Sequence, residues 1–407
     1  MYEKLKLIVK KLNSKKILAL VFMCFFIFVG AATFPLMLST LVGAQENSSG
    51  LLEIKDTIDE EYKAMLTMTF DQPTLQNKGT YVNFNGLMAR IMGQRYMNER
   101  IKLDNGHLTS LKSDPTDIMP GYEQMVKLNS HQVENNKFFL FVLAPYQVSK
   151  YDSKLPVGYP EYSNASADQI VELLRGNNVS VLDLREKMYE QGINYDDAFF
   201  KTDHHWAPQA GFWAYTEIIK ALTEVEVIPK VDSAYTDSDN FEFRLYKDCF
   251  LGSAGKRTGQ YYAGVDDFQL VIPKFETNMT LDIPLKKVDN SGEFEDVANR
   301  RMDFTDIDYF NSNPYASYGY SNCALSLWRN EEAPISKKVL MIGDSFGNIP
   351  FSLLPLCFTT CDEMDMRDYA EDFQDYYYDF DPDIVIVLVN TDGLNGENIR
   401  YDFYPEE

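Results

Sequence analysis

The chain has 407 residues, of which 45% are hydrophobic, so it is long enough to bury a large core in one or more domains. Its net charge is −23 at pH 7. That charge disfavours a nucleic-acid partner, because phosphate binding needs a basic face and the sequence supplies none.

The N-terminal residues have the pattern of a membrane anchor. Residues 1–16 hold six lysines and one glutamate, whereas residues 17–42 carry no charged side chain. An apolar helix of that length can cross a bilayer core of about 30 Å, and the lysines before it favour a cytoplasmic N-terminus. We therefore predict a cytoplasmic tail (1–16), a single transmembrane anchor (17–42), an extracytoplasmic spacer (43–78) and an extracytoplasmic body in the cell membrane.

The alternative for this segment is a cleaved signal peptide, since Val42-Gly43-Ala44 resembles a cleavage site with small residues. An apolar region beyond about 15 residues is long for a signal peptide, which favours the anchor.

The next elements are predicted from turn signals and apolar runs. Residues 80–87, closed by Asn85-Gly86, and residues 100–108, turned at Asn105-Gly106, indicate short strands with tight turns, and His107 is then expected at the surface. Residues 118–134 have a helical pattern that includes His131, and the continuous apolar run 137–144 is typical of a strand buried on both faces.

A helix at about 166–176 and a strand at 179–184 complete a β-α-β unit with that buried strand. Ligands collect at the carboxyl ends of parallel strands. The loop that follows residue 144, including Tyr146, is therefore expected at the functional edge of the sheet.

The stretch Thr202-Asp203-His204-His205-Trp206-Ala207-Pro208 contains a candidate catalytic base. Asp203, two residues before His205, can orient an imidazole and stabilise its protonated form. Pro208 suits the first turn of a helix that runs to about residue 222. The competing interpretation is a histidine beside an aspartate on a surface loop.

The pattern changes between about residues 225 and 334, where strand-like pieces such as 268–272 alternate with acidic loops. This stretch is predicted to be a β-rich insertion. Its tyrosines at 261, 262, 315, 318 and 320 could stack on sugar rings, although aromatic side chains are more often part of a core.

The α/β pattern then resumes at a candidate nucleophile. The apolar run 339–342 breaks at Gly343-Asp344-Ser345-Phe346-Gly347 before a helix-like stretch that reaches about residue 357. Ser345 is thus placed at a strand-to-helix turn, where a hydroxyl is lifted above the carboxyl edge of a sheet and backbone N–H groups can stabilise an oxyanion. A strand at 361–366, a helix at about 369–377 and a buried strand at 383–389 are expected to follow.

A serine needs a base, and the four histidines, at 107, 131, 204 and 205, all precede Ser345. The chain therefore cannot have the catalytic residues in the order Ser, Asp, His that the α/β-hydrolases use, although Gly-x-Ser-x-Gly fits their nucleophile turn.

Together, Asp203-His204-His205-Trp206 and the later Gly343-Asp344-Ser345-Phe346-Gly347-Asn348 make the chain similar to the bacterial DHHW proteins. These resemble the alginate O-acetyltransferases and other SGNH-type factors that acetylate surface polysaccharides, and their motif order is a circular permutation of ordinary GDSL esterases. The resemblance extends over most of the chain from about residue 79.

The resemblance implies an SGNH-hydrolase-like three-layer α/β fold with a parallel sheet over residues 79–407, and a Ser345, His205 and Asp203 triad. It also implies a membrane-bound O-acyltransferase as acyl donor and a cell-surface polysaccharide as acceptor. The alginate enzymes often place a basic residue soon after the proline matched here by Pro145, whereas this chain has Tyr146-Gln147. Candidates for oxyanion or substrate contacts are Asn348, Tyr146 and Arg367. The alternative role for Arg367 is a structural ion pair.

Three functions remain open from the sequence. The first is an O-acetyltransferase acting on polysaccharide, the second a carbohydrate esterase with the same triad, and the third a non-catalytic glycan-binding or assembly protein. No cofactor is expected, and a metal site at Asp203, His204 and His205 is the weakest interpretation because no other ligand falls near at the usual spacing. Cys357 and Cys361 are interpreted as a buried pair or a local disulfide.

Overall fold

The computed structural model describes Met23, residues 78–110, 114–299 and 302–394, and Phe403. The chain divides into two compact units, Met1–Lys78 and Gly79–Glu407. Apart from Met23, the predicted anchor lies outside the described residues. Within the described ranges, no helix is both long enough and apolar enough to cross a bilayer.

The strands in chain order are β1 (Tyr96–Met97), β2 (Arg100–Lys102), β3 (Leu108–Thr109), β4 (Phe138–Ala144), β5 (Ser180–Asp183), β6 (Phe241–Phe250), β7 (Asp266–Pro273), β8 (Met279–Ile283), β9 (Val288–Gly292), β10 (Leu325–Arg329), β11 (Ile335–Gly343), β12 (Phe358–Met364) and β13 (Ile384–Asn390). The α-helices are α1 (Lys78–Ile91), α2 (Met119–Glu134), α3 (Ser163–Gly176), α4 (Leu184–Glu190), α5 (Tyr195–Ala198), α6 (Pro208–Glu224), α7 (Ser253–Thr258), α8 (Gln260–Ala263), α9 (Phe294–Ala298), α10 (Asn348–Leu353) and α11 (Phe373–Phe380).

An eight-stranded mixed sheet in the order β5-β4-β13-β11-β12-β10-β8-β9 organises the second unit. The first five strands of that order pair in parallel, and β10, β8 and β9 add to the sheet in antiparallel fashion. The α/β class expected from the sequence is therefore confirmed. The sheet is mixed rather than wholly parallel, because three antiparallel strands extend the parallel region.

Both faces of the parallel region are buried, because successive side chains of a strand point to opposite faces. On β4, Leu140 and Val142 join one hydrophobic core, whereas Phe139 and Phe141 join the other. Residues of α6 and α10 contribute to the first core, and residues of α2, α3 and α11 contribute to the second.

The parallel strands end at a common edge. Gly343 of β11 pairs with Leu388 of β13, and Asn390 of β13 pairs with Ala144 of β4. The turns that follow these strands, including Ser345 and Tyr146, consequently start from the same edge of the sheet.

Two local predictions are wrong. The strand expected at 80–87 is part of helix α1, and Gly86 does not make a turn: a Cβ there would lie 2.1 Å from the Thr258 carbonyl oxygen, so glycine permits close packing of α1 against α7. His107 is buried rather than exposed, because the hairpin packs on the body and the Leu108 N–H donates to the Lys201 carbonyl. Burial lowers the pKa of His107.

The stretch 225–334 contains the separate β6–β7 sheet and also supplies β8, β9 and β10 to the central sheet, where Trp328 pairs with Cys361. The cysteines at 249, 323, 357 and 361 are all free and buried, so no disulfide links Cys357 and Cys361.

Candidate active site

The loop that carries Asp203 and His205 is closed at its base by an antiparallel bridge between Phe199 and Trp206. Helix α6 begins just beyond it, with Pro208 in its first turn, where the missing N–H costs nothing. The loop is thus fixed at both ends, and it holds the side chains of Asp203 and His205 in buried positions.

The turn that carries Ser345 is held by Asp344. One carboxylate oxygen of Asp344 accepts the Phe346 N–H at 2.8 Å, and the other accepts the N–H and the side-chain amide of Asn390 at 2.9 and 2.8 Å. These bonds join the end of β11 to the end of β13. Ser345 then opens a short 3₁₀ turn (Ser345–Gly347) that leads into α10.

Asp203, His205 and Ser345 form one continuous hydrogen-bonded chain. His205 Nδ1 lies 2.5 Å from Asp203 Oδ1, and His205 Nε2 lies 2.6 Å from Ser345 Oγ. A carboxylate that accepts from Nδ1–H leaves Nε2 free to accept a proton, so this orientation suits a base that activates the serine hydroxyl.

The Asp203 carboxylate is held by more than His205. The His205 backbone N–H donates to Oδ1 at 3.1 Å, and the Ser253 N–H donates to Oδ2 at 2.6 Å. Burial alone would raise the pKa of Asp203, but the neighbouring imidazoles of His205 and His204 and these hydrogen bonds outweigh burial and hold that pKa well below its usual range. Asp203 is therefore a carboxylate at neutral pH.

Asp344 has the opposite electrostatic character. Burial raises the pKa of its carboxyl to about 6, although the hydrogen bonds from Asn390 and Phe346 act in the other direction. The pKa values of the two aspartates near Ser345 are thus shifted in opposite directions. Two imidazoles face Asp203 and stabilise its negative charge, whereas mainly neutral amides face Asp344.

The three candidates for oxyanion or substrate contacts lie in different environments. Asn348 is buried at the start of α10, three residues beyond Ser345. The Tyr146 side chain is buried, and its hydroxyl accepts from Thr109 Oγ1 at 2.6 Å and donates to the Ser110 carbonyl. Arg367 forms a two-point ion pair with Asp365, at 2.9 and 2.6 Å, which agrees with the structural alternative.

Two supporting residues were not singled out in the sequence. Gln147 Nε2 donates to the carbonyls of Phe200 and Asp203, at 2.9 and 2.6 Å, and so ties the β4 loop to the histidine loop. Ser253 supplies the N–H described above. Gln147 lies three residues beyond the predicted strand end at residue 144, which was the available signal, whereas Ser253 lies outside both motifs.

Most of the tyrosines considered for sugar stacking are core residues. Tyr262, Tyr315 and Tyr318 are buried, whereas Tyr261 is 50% exposed. For these three buried tyrosines, the core interpretation is therefore the correct one.

The ligand atoms of Asp203, His204 and His205 all lie within 4.8 Å of one another, a grouping that could hold a metal ion. Asp203 Oδ1 and His205 Nδ1 are, however, engaged with each other, and His205 Nε2 is engaged with Ser345. A metal bound through these atoms would have to break that hydrogen-bonded chain, so the arrangement fits proton transfer better than coordination.

An α/β sheet with this hydrogen-bonded chain at its carboxyl edge is typical of SGNH-type acyl-transfer enzymes. Residues 117–242 match the family model described as the SGNH hydrolase-like domain of the acetyltransferase AlgX. The matched range includes Asp203 and His205 and ends before Ser345. A comparison with curated protein sequences found no match.

Solved structures share the fold. Bacillus cereus PatB1 with a sulfonyl adduct is 19% identical with a TM-score of 0.61, and the alignment covers 74% of this chain and 96% of that chain. A DHHW family protein from Eubacterium siraeum is 18% identical with a TM-score of 0.54, covering 74% of this chain and 94% of that chain. The resemblance predicted from the motifs is therefore confirmed. The family-model match to an acetyltransferase domain supports an acyl-transfer enzyme in general terms.

Proposed function

We propose that the protein is an extracytoplasmic O-acetyltransferase that modifies a cell-surface or exported polysaccharide through Ser345, His205 and Asp203. The observation that carries this proposal is the unbroken hydrogen-bonded chain from Asp203 through His205 to Ser345. The family match to an acetyltransferase domain supports the reaction class.

The first half-reaction forms an acyl-enzyme. Ser345 Oγ attacks the acyl carbonyl carbon while His205 Nε2 takes the hydroxyl proton, and Asp203 stabilises the resulting imidazolium. The tetrahedral intermediate then collapses, the bond to the donor's leaving group breaks, and the proton on Nε2 passes to that group. The acyl group is left as an ester on Ser345.

The second half-reaction transfers the acyl group. An acceptor hydroxyl gives its proton to His205 Nε2 and attacks the Ser345 ester, and collapse of this second intermediate returns the proton to Ser345 Oγ. The Phe346 N–H is already bonded to Asp344, so we assign the Ser345 N–H as the main oxyanion donor. Asn348, Tyr146 and Arg367 remain proposals for further oxyanion or substrate contacts.

The partners follow from the resemblance. A membrane-bound O-acyltransferase would donate the acyl group, and a surface polysaccharide would accept it. The apolar run 17–42 supports attachment to the cell membrane with the body outside the cytoplasm, and the permuted motif order supports the SGNH-like assignment. Protease added to intact cells should then degrade the acidic body, and a body protected by the cytoplasm would contradict this topology.

The second candidate function is a carbohydrate esterase with the same three residues. The acyl-enzyme would be identical, and water rather than a sugar would attack it. Which acceptor wins depends on how well a sugar is held beside Ser345, because water is present at far higher concentration. A non-catalytic glycan-binding protein is the third candidate, and it has no need for the hydrogen-bonded chain.

One experiment tests catalysis. Full-length protein in detergent is incubated with a chromogenic acyl ester, and the acyl-enzyme at Ser345 is sought by mass spectrometry. Ser345→Ala and His205→Ala should each reduce turnover by roughly 10³-fold or more, and the double variant should lose little beyond that, because the residues act as a unit. His204→Ala is the matched control, with a milder effect expected. A larger loss for His204→Ala than for His205→Ala would refute the assignment of the base.

A second experiment separates the candidates. The same protein is given an acyl donor together with surface oligosaccharides, and products are identified by mass spectrometry. Acylated sugar supports the transferase. Release of free acid that no oligosaccharide changes supports the esterase, and glycan binding without any acyl-enzyme supports the binding protein.

A further inference from the structure

The ring of Tyr315 lies flat against the imidazole of His205. The two ring centroids are 4.1 Å apart, and the ring planes differ by 16°. The Tyr315 hydroxyl also donates to the backbone carbonyl of Ser345 at 3.1 Å. One buried side chain therefore contacts both the candidate base and the turn that holds the candidate nucleophile.

The imidazole of His205 is also covered by other rings. The His204 ring lies 3.8 Å away, centroid to centroid, at an interplanar angle of 37°, and the Phe346 ring lies 5.2 Å away. Tyr315 is the ring most nearly parallel to the imidazole. Stacked geometry of this kind confines rotation of the imidazole about its Cβ–Cγ bond, a torsion that is otherwise broad.

We propose that Tyr315 is a positioning residue for the reaction assigned above, holding the His205 ring so that Nδ1 meets Asp203 and Nε2 meets Ser345 at the same time. This inference rests on the proposed function of Ser345 and His205. Rotation of the ring away from this plane would lengthen both contacts together, because Nδ1 and Nε2 belong to one rigid ring.

Tyr315 is itself well anchored. It lies in the 3₁₀ turn Pro314–Ser317, its side chain is buried, and Phe200 packs edge-on against its ring. Burial, with the nearby carboxylates of Asp203 and Asp344, raises the pKa of Tyr315 well above its usual value. The phenol therefore stays neutral and keeps its proton for the Ser345 carbonyl.

The position of Tyr315 in the chain gives the stretch 225–334 a part in catalysis. The stacked ring comes from that stretch, whereas His205 precedes it and Ser345 follows it. A face-on aromatic ring also favours the imidazolium that forms when His205 accepts the serine proton, since the ring face attracts cations.

The test compares three variants of the full-length protein in the chromogenic ester assay. Tyr315→Leu removes the ring and should lower kcat roughly 3- to 30-fold with little change in KM, the size expected for a lost cation–ring contact. Tyr315→Phe keeps the ring and loses only the bond to the Ser345 carbonyl, so it should recover most of that loss. Tyr318→Leu is the matched control: Tyr318 is buried in the same segment, but its hydroxyl bonds to Gln269 and Val271.

A double-variant cycle shows whether Tyr315 acts through His205. In a His205→Ala background, Tyr315→Leu should have no further effect on kcat, because no imidazole remains to be held. Equal fold-losses with and without His205 would overturn the proposal, as would unchanged kcat in Tyr315→Leu. Thermal melts identify variants that fail to fold. If Tyr315→Leu does not fold, the kcat values of Tyr315→Phe and Tyr315→Trp are compared with that of the unmodified protein instead. If Ser345→Ala leaves activity intact, the proposed function fails; if Ser345→Ala abolishes it and Tyr315→Leu does not change it, only the present inference fails.

Discussion

Addition of one methyl group at Gly252 should displace Asp203 and reduce activity. Gly252 precedes α7 with φ −71°, a value that alanine adopts freely, so the backbone does not oppose Gly252→Ala. A Cβ at this position would, however, lie 2.2 Å from Asp203 Cβ and 2.6 Å from Asp203 Oδ2. Ordinary carbon contacts begin near 3.5 Å, so the aspartate or the loop must retreat by about 1 Å.

That retreat sets the size of the effect. A displacement of about 1 Å in a catalytic group costs roughly 10²-fold in rate, which corresponds to about 2.7 kcal/mol of activation free energy. The extra methyl group should also lower the free energy of unfolding by about 1–3 kcal/mol, because the site is already filled. Activity on a chromogenic ester, corrected for the folded fraction from thermal melts, measures the first quantity separately from the second.

Gly176→Ala is the matched control. Gly176 ends helix α3, and a Cβ there would meet no atom within 4 Å. This variant should keep full activity and equal or slightly greater stability. A folded Gly252→Ala protein with activity within about twofold of the unmodified enzyme would refute the reasoning, because catalysis would then not depend on the position of the Asp203 carboxylate beside Gly252.

Further outcomes are expected from the same contacts. Asp203→Asn should lower kcat by about 10⁴-fold with near-normal folding, because an amide NH₂ facing His205 Nδ1 favours the wrong imidazole tautomer; a loss below about tenfold would contradict this. Burial raises the pKa of Asp344 to about 6 in the folded protein, so its ionisation is costly there. Its contribution to the free energy of unfolding is full below about pH 4 and falls by about 3 kcal/mol as the pH rises through 6. Denaturant titrations at several pH values should detect this fall, and a free energy of unfolding that does not fall over this range would contradict the prediction. Arg185→Met leaves the buried Asp183 carboxylate without its guanidinium at 2.6 Å, so denaturation should report a loss of about 3–5 kcal/mol while activity per folded molecule is retained.

The sequence by itself determined the parts that depend on local order. The apolar runs at 137–144 and 339–342 each predict a buried strand, and both lie in the parallel region of the central sheet. The break after Gly343 predicts a turn, and in the structure Ser345 begins the short 3₁₀ turn that follows β11. Such features are readable because strand periodicity, turn residues and helix starts involve neighbours in the chain.

Local order was misleading where packing decides the structure. Asn85-Gly86 has the composition of a hairpin turn, yet it lies inside α1, where Gly86 leaves room for the Thr258 carbonyl. The position of His107 was misjudged for a similar reason: a residue beside a turn is usually exposed, but here the hairpin rests on the Lys201 backbone. Both outcomes depend on segments far away in the chain.

The tertiary structure alone decided how the candidate site is assembled. It set which imidazole nitrogen meets Asp203 and which meets Ser345, and it placed the Gly252 backbone against the carboxylate and the Tyr315 ring against the imidazole. Only the pairing of Asp203 with His205 has a sequence pattern, in the Asp-x-His spacing. The other contacts join residues far apart in the chain, which meet only when the sheet and its covering helices pack. Hydrogen-bond direction and ring stacking depend on ångström-scale positions in three dimensions, and the one-dimensional order of residues does not specify those positions.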